Sequence, residues 1–286
     1  MMFMPFPGRY KATTAPPHMR GGWTSNRISM LFLAALLPPL TVILFNRGND
    51  NGFLMVLGLV MLLSLAWNIF FARLRRHAPT LDWAVSAASF ALFVPATLPL
   101  WQIGLGFSFG IVVGEQLFGG RGWNFLNPVI VALAFLAFSF PGADYVPLGD
   151  AFALAVLPGA VLLLAVGLIS WRILLGALLG LAFVIFVVTF PNTLSSVSFE
   201  SLMLGPLAFG LVFFACDPIS ASSTNPGRWI YGVLGGLLIG VFGLTNEFYG
   251  APNAIIFALL LSSIFAPLID YFVIWLNALL RRRRYE

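Results

Sequence analysis

VPATLPLWQIGLGFSFGIVVGEQLFGGRGWNFLNPVIVALAFLAFSFP (94–141) decides how the rest of the chain is read. Two continuous apolar runs, 101–118 and 126–141, flank a segment, Gly119–Pro128, that concentrates glycine, proline and asparagine. A helix needs about 20 apolar residues to cross a bilayer. A membrane β-barrel would instead show short segments of alternating polarity. Continuous runs with no internal alternation predict membrane helices, because only helices and closed barrels satisfy their backbone groups in lipid.

Outward from this stretch the same texture continues. Hydrophobic residues make up 60% of the 286 residues and charged residues 9%, where a soluble domain carries about 25%. The spans read as 29–46, 52–72, 82–99, 101–118, 126–141, 151–170, 172–190, 203–217, 229–245 and 252–278. The expected fold is therefore all-α and polytopic, with about ten transmembrane helices. A short arm (1–28) precedes the membrane domain (29–278), and a basic tail (279–286) follows it. The arm lacks the apolar centre of a signal peptide.

Charge orients these spans. Arg9, Lys11, Arg20 and Arg27 precede the first, Arg281 to Arg284 follow the last, and Arg73, Arg75, Arg76, Arg121, Arg172 and Arg228 follow even-numbered spans. Of the 15 basic residues, Arg47 alone falls on the other side. Asp50, Asp144, Asp150, Glu200 and Glu247 all fall in odd-numbered loops. The positive-inside rule then puts both termini on the cytoplasmic side of a bacterial inner membrane. The basic tail reads as a topology signal on a solvated end, not as a nucleic-acid site.

Composition also excludes several chemistries. One cysteine, Cys216, cannot form an internal disulfide or a Cys-based cluster, and His18 and His77 lie far apart. No P-loop, G-x-S-x-G or H-E-x-x-H pattern occurs.

The chain repeats itself in layout. The segment 93–141 is echoed by ACDPISASSTNPGRW (215–229) through YGAPNAIIFALL (249–260) to FAPLID (265–270), with Pro95 and Pro128 spaced almost as Pro218 and Pro252. Five spans separate the copies, so they would insert in opposite orientations. Membrane proteins that hold a ligand between two halves are often built this way, with interrupted helices at the site. Gly119–Pro128 and Asp217–Gly227 both fall at the cytoplasmic ends of their spans, and they predict a polar pocket there.

Several residues in these segments carry two readings each. Asp217 is either a turn-former or a group that orients a ligand or cation. Asp270 and Glu115 lie close to the hydrocarbon, where a carboxylate usually faces the bundle interior; Asp270 either pairs with a base or handles a cation, and Glu115 is near enough to the interface to reach water by itself. Asn124 and Asn127 precede Pro128, which suits the first turn of a helix. Their amides either cap that turn or meet a heterocycle with an alternating donor–acceptor edge.

The segment 94–141 closely resembles the NqrB subunit of the Na+-translocating NADH:quinone oxidoreductase, and is similar to the RnfD subunit of the related Rnf complex (the NqrB/RnfD family). The likeness continues in FGLVFFACDPISASSTNPGRWIYGVLGG (209–236) and FALLLSSIFAPLIDYFV (257–273), and APPHMRGGWTSNRISM (15–30) looks like the family's approach to its first helix. The LFGGxGxNFLNP and DPISAS elements are its specific part. The resemblance implies two inverted five-helix halves, related to urea-transporter architecture, within a multisubunit, flavin-dependent electron-transfer complex. It places a non-covalent riboflavin or FMN, and the quinone region, against Gly119, Gly120, Asn124, Asn127 and Pro128, with Asp217 and Thr224 opposite. Asp270 matches an acidic residue of the family that bears on cation coupling, with Glu115 a second candidate.

In one respect the sequence departs from its family. Relatives attach a further flavin through a phosphoester to the threonine of a Ser-Gly-Ala-Thr motif in the outer loop after the FLNP helix. Here that loop is PGADYVPLGD (141–150), without serine or threonine, and the motif occurs nowhere in the chain. No covalent FMN is expected. The leading expectation is a membrane electron-transfer subunit with non-covalent flavin or quinone. Its expected partners are other membrane subunits, with a ferredoxin-reductase-like protein among the candidates. The rivals are a small-solute transporter or channel on the same fold, and a cofactor-free structural anchor of a larger complex.

Overall fold

In a computed structural model, the residues described are 11–12, 19–20, 24–46, 51–76, 80–94, 98–141, 150–189, 204–245 and 251–282. Helices form where the apolar runs predict them. They are α1 (Ser25–Asn46), α2 (Asn51–Arg75), α3 (Asp82–Phe93), α4 (Leu100–Ile111), α5 (Pro128–Ser139), α6 (Asp150–Val166), α7 (Trp171–Thr189), α8 (Leu204–Phe209), α9 (Asn225–Thr245) and α10 (Pro252–Arg282). Near the N-terminus, β1 (Lys11–Ala12) pairs antiparallel with β2 (Met19–Arg20). The other residues of 1–23, the loop 142–149 and the tail 283–286 lie outside the described residues.

Five helices, α1, α2, α7, α9 and α10, are long and apolar enough to cross a membrane by length and composition. Beyond the short β1–β2 pair, the chain is a helical, multi-pass membrane protein. Its outer faces carry large apolar side chains, among them Phe45, Leu62, Phe138 and Phe186, which are all more than half exposed. A water-soluble monomer rarely tolerates such a surface over this extent.

The remaining helices are shorter than the sequence predicts. α3 stops at Phe93, not near residue 99, and Val94 is extended (φ −68°, ψ 144°). Pro95 follows it, and the residue before a proline is driven out of the helical region by contact with the proline ring. At twelve residues α3 is about 18 Å long, little more than half of a bilayer core about 30 Å thick. α4 and α8 each widen into a π-helical turn, at Val112–Gln116 and Gly210–Ala215. Such turns recur at functional sites because they push one residue out of the regular helical ladder.

The packing repeats with an offset of five helices. α1 packs on α3 as α6 does on α8, α2 on α4 as α7 on α9, α3 on α5 as α8 on α10, and α4 on α5 as α9 on α10. Two contacts between like-placed helices, α1 with α6 and α5 with α10, join the halves. Glycine allows the tightest of these approaches: a Cβ on Gly236 of α9 would sit 1.9 Å from the Ala177 carbonyl oxygen of α7. With no hydrophobic drive between helices in lipid, such close van der Waals packing holds them together.

Where the two halves meet, the interior is aromatic. Phe93 of α3 stacks on Phe209 of α8 at 5.8 Å between ring centroids and meets Phe214 edge-on at 5.4 Å. Phe209 also packs against Phe152 and Phe213. All five rings are buried. They fill the seam between the halves with apolar volume, and the polar groups collect at one end of it.

Candidate functional site

Three chain segments converge at that end: the start of α3, the loop between α4 and α5, and the turn that follows α8. Their charged groups are buried together. Arg121, in the loop, places Nε 3.5 Å from Asp82 Oδ1 and Nη2 3.6 Å from Asp217 Oδ1. Asp82 belongs to the first half and Asp217 to the second, so a single guanidinium spans them. Burial works against the Arg121 charge, yet Asp217, Asp82 and Glu115 together outweigh it and lift its pKa above the ordinary value.

The loop reaches this geometry through its glycines. Gly119, Gly120 and Gly122 have φ of 117°, 96° and 99°, conformations that only glycine adopts without strain. The chain curls back so that the Gly120 N–H donates to the Glu115 carbonyl at 3.1 Å. Asn124 then closes the turn internally: its Oδ1 accepts from the Gly122 N–H at 3.0 Å, and its Nδ2 donates to the Leu126 carbonyl at 2.7 Å. Asn127 caps α5, accepting from the Val129 N–H at 2.9 Å, with Pro128 in the first turn. That is the N-cap arrangement these residue types favour. The Asn127 Nδ2 donates to Asp217 Oδ2 at 3.4 Å, and the Ser220 hydroxyl donates to the same oxygen at 3.1 Å. On the opposite side, the hydroxyls of Ser25 (3.0 Å) and Ser29 of α1 donate to Asp82.

Beside Arg121 opens a cleft of about 350 Å³, within the range of small-molecule sites. One face of α2 lines it with Asn68, Phe71, Ala72 and Arg75, spaced as neighbours on a helix surface. Glu115, Gln116, Gly119 and Gly120 form the facing wall. Arg75 Nη1 donates to Gln116 Oε1 at 3.0 Å and Nη2 to the Gln116 carbonyl, while Gln116 Nε2 donates to Glu115 Oε1 at 2.9 Å. A Cβ on Gly120 would lie 2.8 Å from Arg75 Nη1, so glycine leaves room for this contact. Asn68 Oδ1 is buried without a hydrogen-bond partner among the described residues.

Of the residues expected from the sequence, Gly119, Gly120 and Glu115 line this cleft. Asn127 and Asp217 stand behind Arg121, next to a second, smaller cavity of about 20 Å³. The side chain of Asn124 is spent on its own turn, and Pro128 packs near Gly114 of the π-helical turn after α4, where an added Cβ would come within 2.9 Å of the Pro128 Cα.

Thr224 and Asp270 lie together in a separate cluster. The two Asp270 carboxylate oxygens accept from the hydroxyls of Ser222 (2.6 Å), Ser223 (3.1 Å) and Thr224 (2.6 Å), and from the N–H groups of Ser223 (2.8 Å) and Thr224 (3.1 Å). The loop 141–150, on which the expectation of no covalent flavin rests, is outside the described residues from 142 to 149.

Arg121, Asp82, Arg75, Gln116 and Asn68 line the cleft without a sequence motif that marks them as site residues. Arg121 and Arg75 carried a signal that orientation alone explained. Asp82 carried one that was missed, as an acid at the start of a span on the basic side of the membrane.

With this geometry in view, the chain matches the model of the NQR2, RnfD, RnfE family over residues 12–147 and 142–277. It belongs to that family. It is 33% identical over 277 residues to the B subunit of the Na(+)-translocating NADH-quinone reductase of Stutzerimonas stutzeri (strain A1501), covering 79% of this chain and 68% of the relative. The protein of the same name from Chromohalobacter salexigens is 34% identical over 266 residues (76% and 64%). The one from Yersinia pestis is 32% identical over 287 residues (82% and 69%). The chain thus spans about two thirds of the length of these family members. The two matched segments of the family model divide the chain near the loop between α5 and α6, where the repeated packing also divides it.

Proposed function

We propose that the protein is a membrane-embedded electron-transfer subunit of an Nqr/Rnf-like oxidoreductase complex, and that it binds flavin or quinone non-covalently at the cleft beside Arg121. On this reading all ten helices lie in the membrane as two five-helix halves of opposite orientation, with both termini on the cytoplasmic side of a bacterial inner membrane. The partners are further membrane subunits of the complex. The observation that carries the reading is the cleft itself. It is a small-molecule-sized recess, part polar and part apolar, whose wall includes Gly119, Gly120, Arg121 and Trp123 of the family's LFGGxGxNFLNP element, at the end of an otherwise apolar bundle.

The groups present suit a planar heterocycle with a polar edge. Arg75 and Gln116 offer donors, Glu115 and Gln116 offer acceptors, and Phe71 supplies an apolar face. A bound flavin would supply the redox chemistry. The chain's own groups would orient its edge, balance its charge and hold water away from its apolar face. The buried ring cluster of Phe93, Phe152, Phe209, Phe213 and Phe214 favours this reading over a solute channel, because it fills the seam where an inverted-repeat pore would run. The absence of any Ser-Gly-Ala-Thr motif supports attachment without a covalent link.

The test is an absorption spectrum of the purified native complex before and after acid precipitation. Flavin released into the supernatant is expected. Flavin retained in the pellet would overturn the non-covalent assignment. A native complex without flavin or quinone would move the protein to the transporter or anchor readings.

A further inference from the structure

We propose that Arg121 is a gate that controls access from the cleft to the buried Asp217 carboxylate. The inference is independent of which ligand the cleft holds.

Arg121 lines two cavities at once. On one side is the cleft of about 350 Å³. On the other is a small cavity of about 20 Å³, whose polar side is formed by Ser86 and Ser89 of α3, by Asn127, and by Asp217. A cavity needs roughly 10–15 Å³ to hold a water molecule, so this one has room for about one. Phe32, Phe213 and Phe214 close it on the side of the aromatic seam. Asp217, Ser86 and Ser89 are each at most 5% exposed. The Arg121 side chain is thus the partition between them and the cleft.

Charge holds that partition more than hydrogen-bond geometry does. Its contacts to Asp82 and Asp217 are 3.5 and 3.6 Å, longer than the roughly 2.7–2.9 Å of a direct charge-assisted hydrogen bond. The carboxylates stand on different halves, so any change in their separation loosens the guanidinium from one of them. The backbone that carries it is flanked by Gly119, Gly120 and Gly122, all with positive φ. A side chain set between glycines meets few steric limits on reorientation. When Arg121 follows Asp82 toward the cleft, Asp217, Ser86 and Ser89 become reachable by water and small solutes. When it bridges both carboxylates they are sealed.

Thiol accessibility in the purified full-length protein tests the gate. In a Cys216→Ala background, Ser89→Cys supplies one thiol inside the small cavity and Thr80→Cys, in a separate protein, one in the cleft. The probe is methyl methanethiosulfonate, which is small and uncharged. With Arg121 present, Ser89→Cys is expected to react at least tenfold more slowly than Thr80→Cys. Adding Arg121→Gln should raise the Ser89→Cys rate at least tenfold and leave Thr80→Cys within about twofold. If Arg121→Gln does not survive purification, Arg121→Gln with Asp82→Asn keeps the net charge of the trio and should give the same acceleration. Equal Ser89→Cys rates with and without Arg121, fast or slow, would overturn the proposal.

Discussion

Two carboxylate clusters at the loop-facing end of the helices solve one problem in opposite ways. Asp82 and Asp217 are buried and share the cation of Arg121. Asp270, which is half-buried, has no cation paired with it among the described residues, and its oxygens take five hydrogen bonds from three consecutive residues, Ser222 to Thr224. The first arrangement ties together three distant pieces of chain through long-range charge, with loose geometry. The second fixes one turn through short, directional bonds. A cluster held by charge can change shape at modest cost, because Coulomb attraction falls off slowly with distance. A carboxylate held by oriented donors cannot, because hydrogen bonds weaken steeply with angle. The difference predicts that the Arg121 cluster rearranges more readily than the Asp270 cluster.

The largest way to break this contrast is Arg121→Leu. It leaves two buried carboxylates unpaired, and removing one member of a buried ion pair costs about 3–5 kcal/mol. The expected outcome is a strong loss of stability in denaturant titrations of the purified protein, partly recovered when Asp217→Asn is added. Full stability of Arg121→Leu alone would show that the carboxylates are solvated and do not depend on the Arg121 cation.

Gly227→Ala attacks the other cluster. An added Cβ would sit 2.3 Å from Ser222 Oγ, 2.4 Å from Thr224 Oγ1 and 2.7 Å from Asp270 Oδ1. Overpacking of this kind costs about 1–3 kcal/mol, and thermal unfolding should show it. Asp270→Asn is expected to cost less, about 1–2 kcal/mol, since the amide keeps one acceptor but turns a donor toward hydroxyls and N–H groups. The smallest effect is expected for Asn127→Ala, which removes the cap of α5 and one donor to Asp217, at about 1 kcal/mol. An Asn127→Asp variant keeps the cap but places a second carboxylate against Asp217, so it should be worse than Asn127→Ala.

Much of this architecture was legible in the order of the residues. Helices α1 to α10 stand where the apolar runs stand, because burial of backbone polar groups in lipid leaves the chain few alternatives to helix. The caps were legible too, since Asn127 before Pro128 is a local signal that needs no tertiary partner. Boundaries were less secure. α3 was expected to run to residue 99 and stops at Phe93, although Pro95 was there to be read.

The site divided along the same line. Gly119, Gly120 and Glu115 could be found by motif and position. Arg121 could not be told from any other basic residue that follows an even-numbered span, and Thr224, which the resemblance places opposite the glycine loop, turns its hydroxyl to Asp270.

By itself, the sequence determined that this is a multi-pass helical membrane protein of the NQR2, RnfD, RnfE family, repeated in two halves, with its polar residues gathered in two loop elements. Hydropathy and local capping are properties of neighbouring residues, so the linear order carries them. Which carboxylate meets which cation was decided only by the tertiary structure. Asp82 and Asp217 lie far apart in sequence and on different halves, and only the packing of α3, α5 and the turn after α8 brings them to the two sides of one guanidinium.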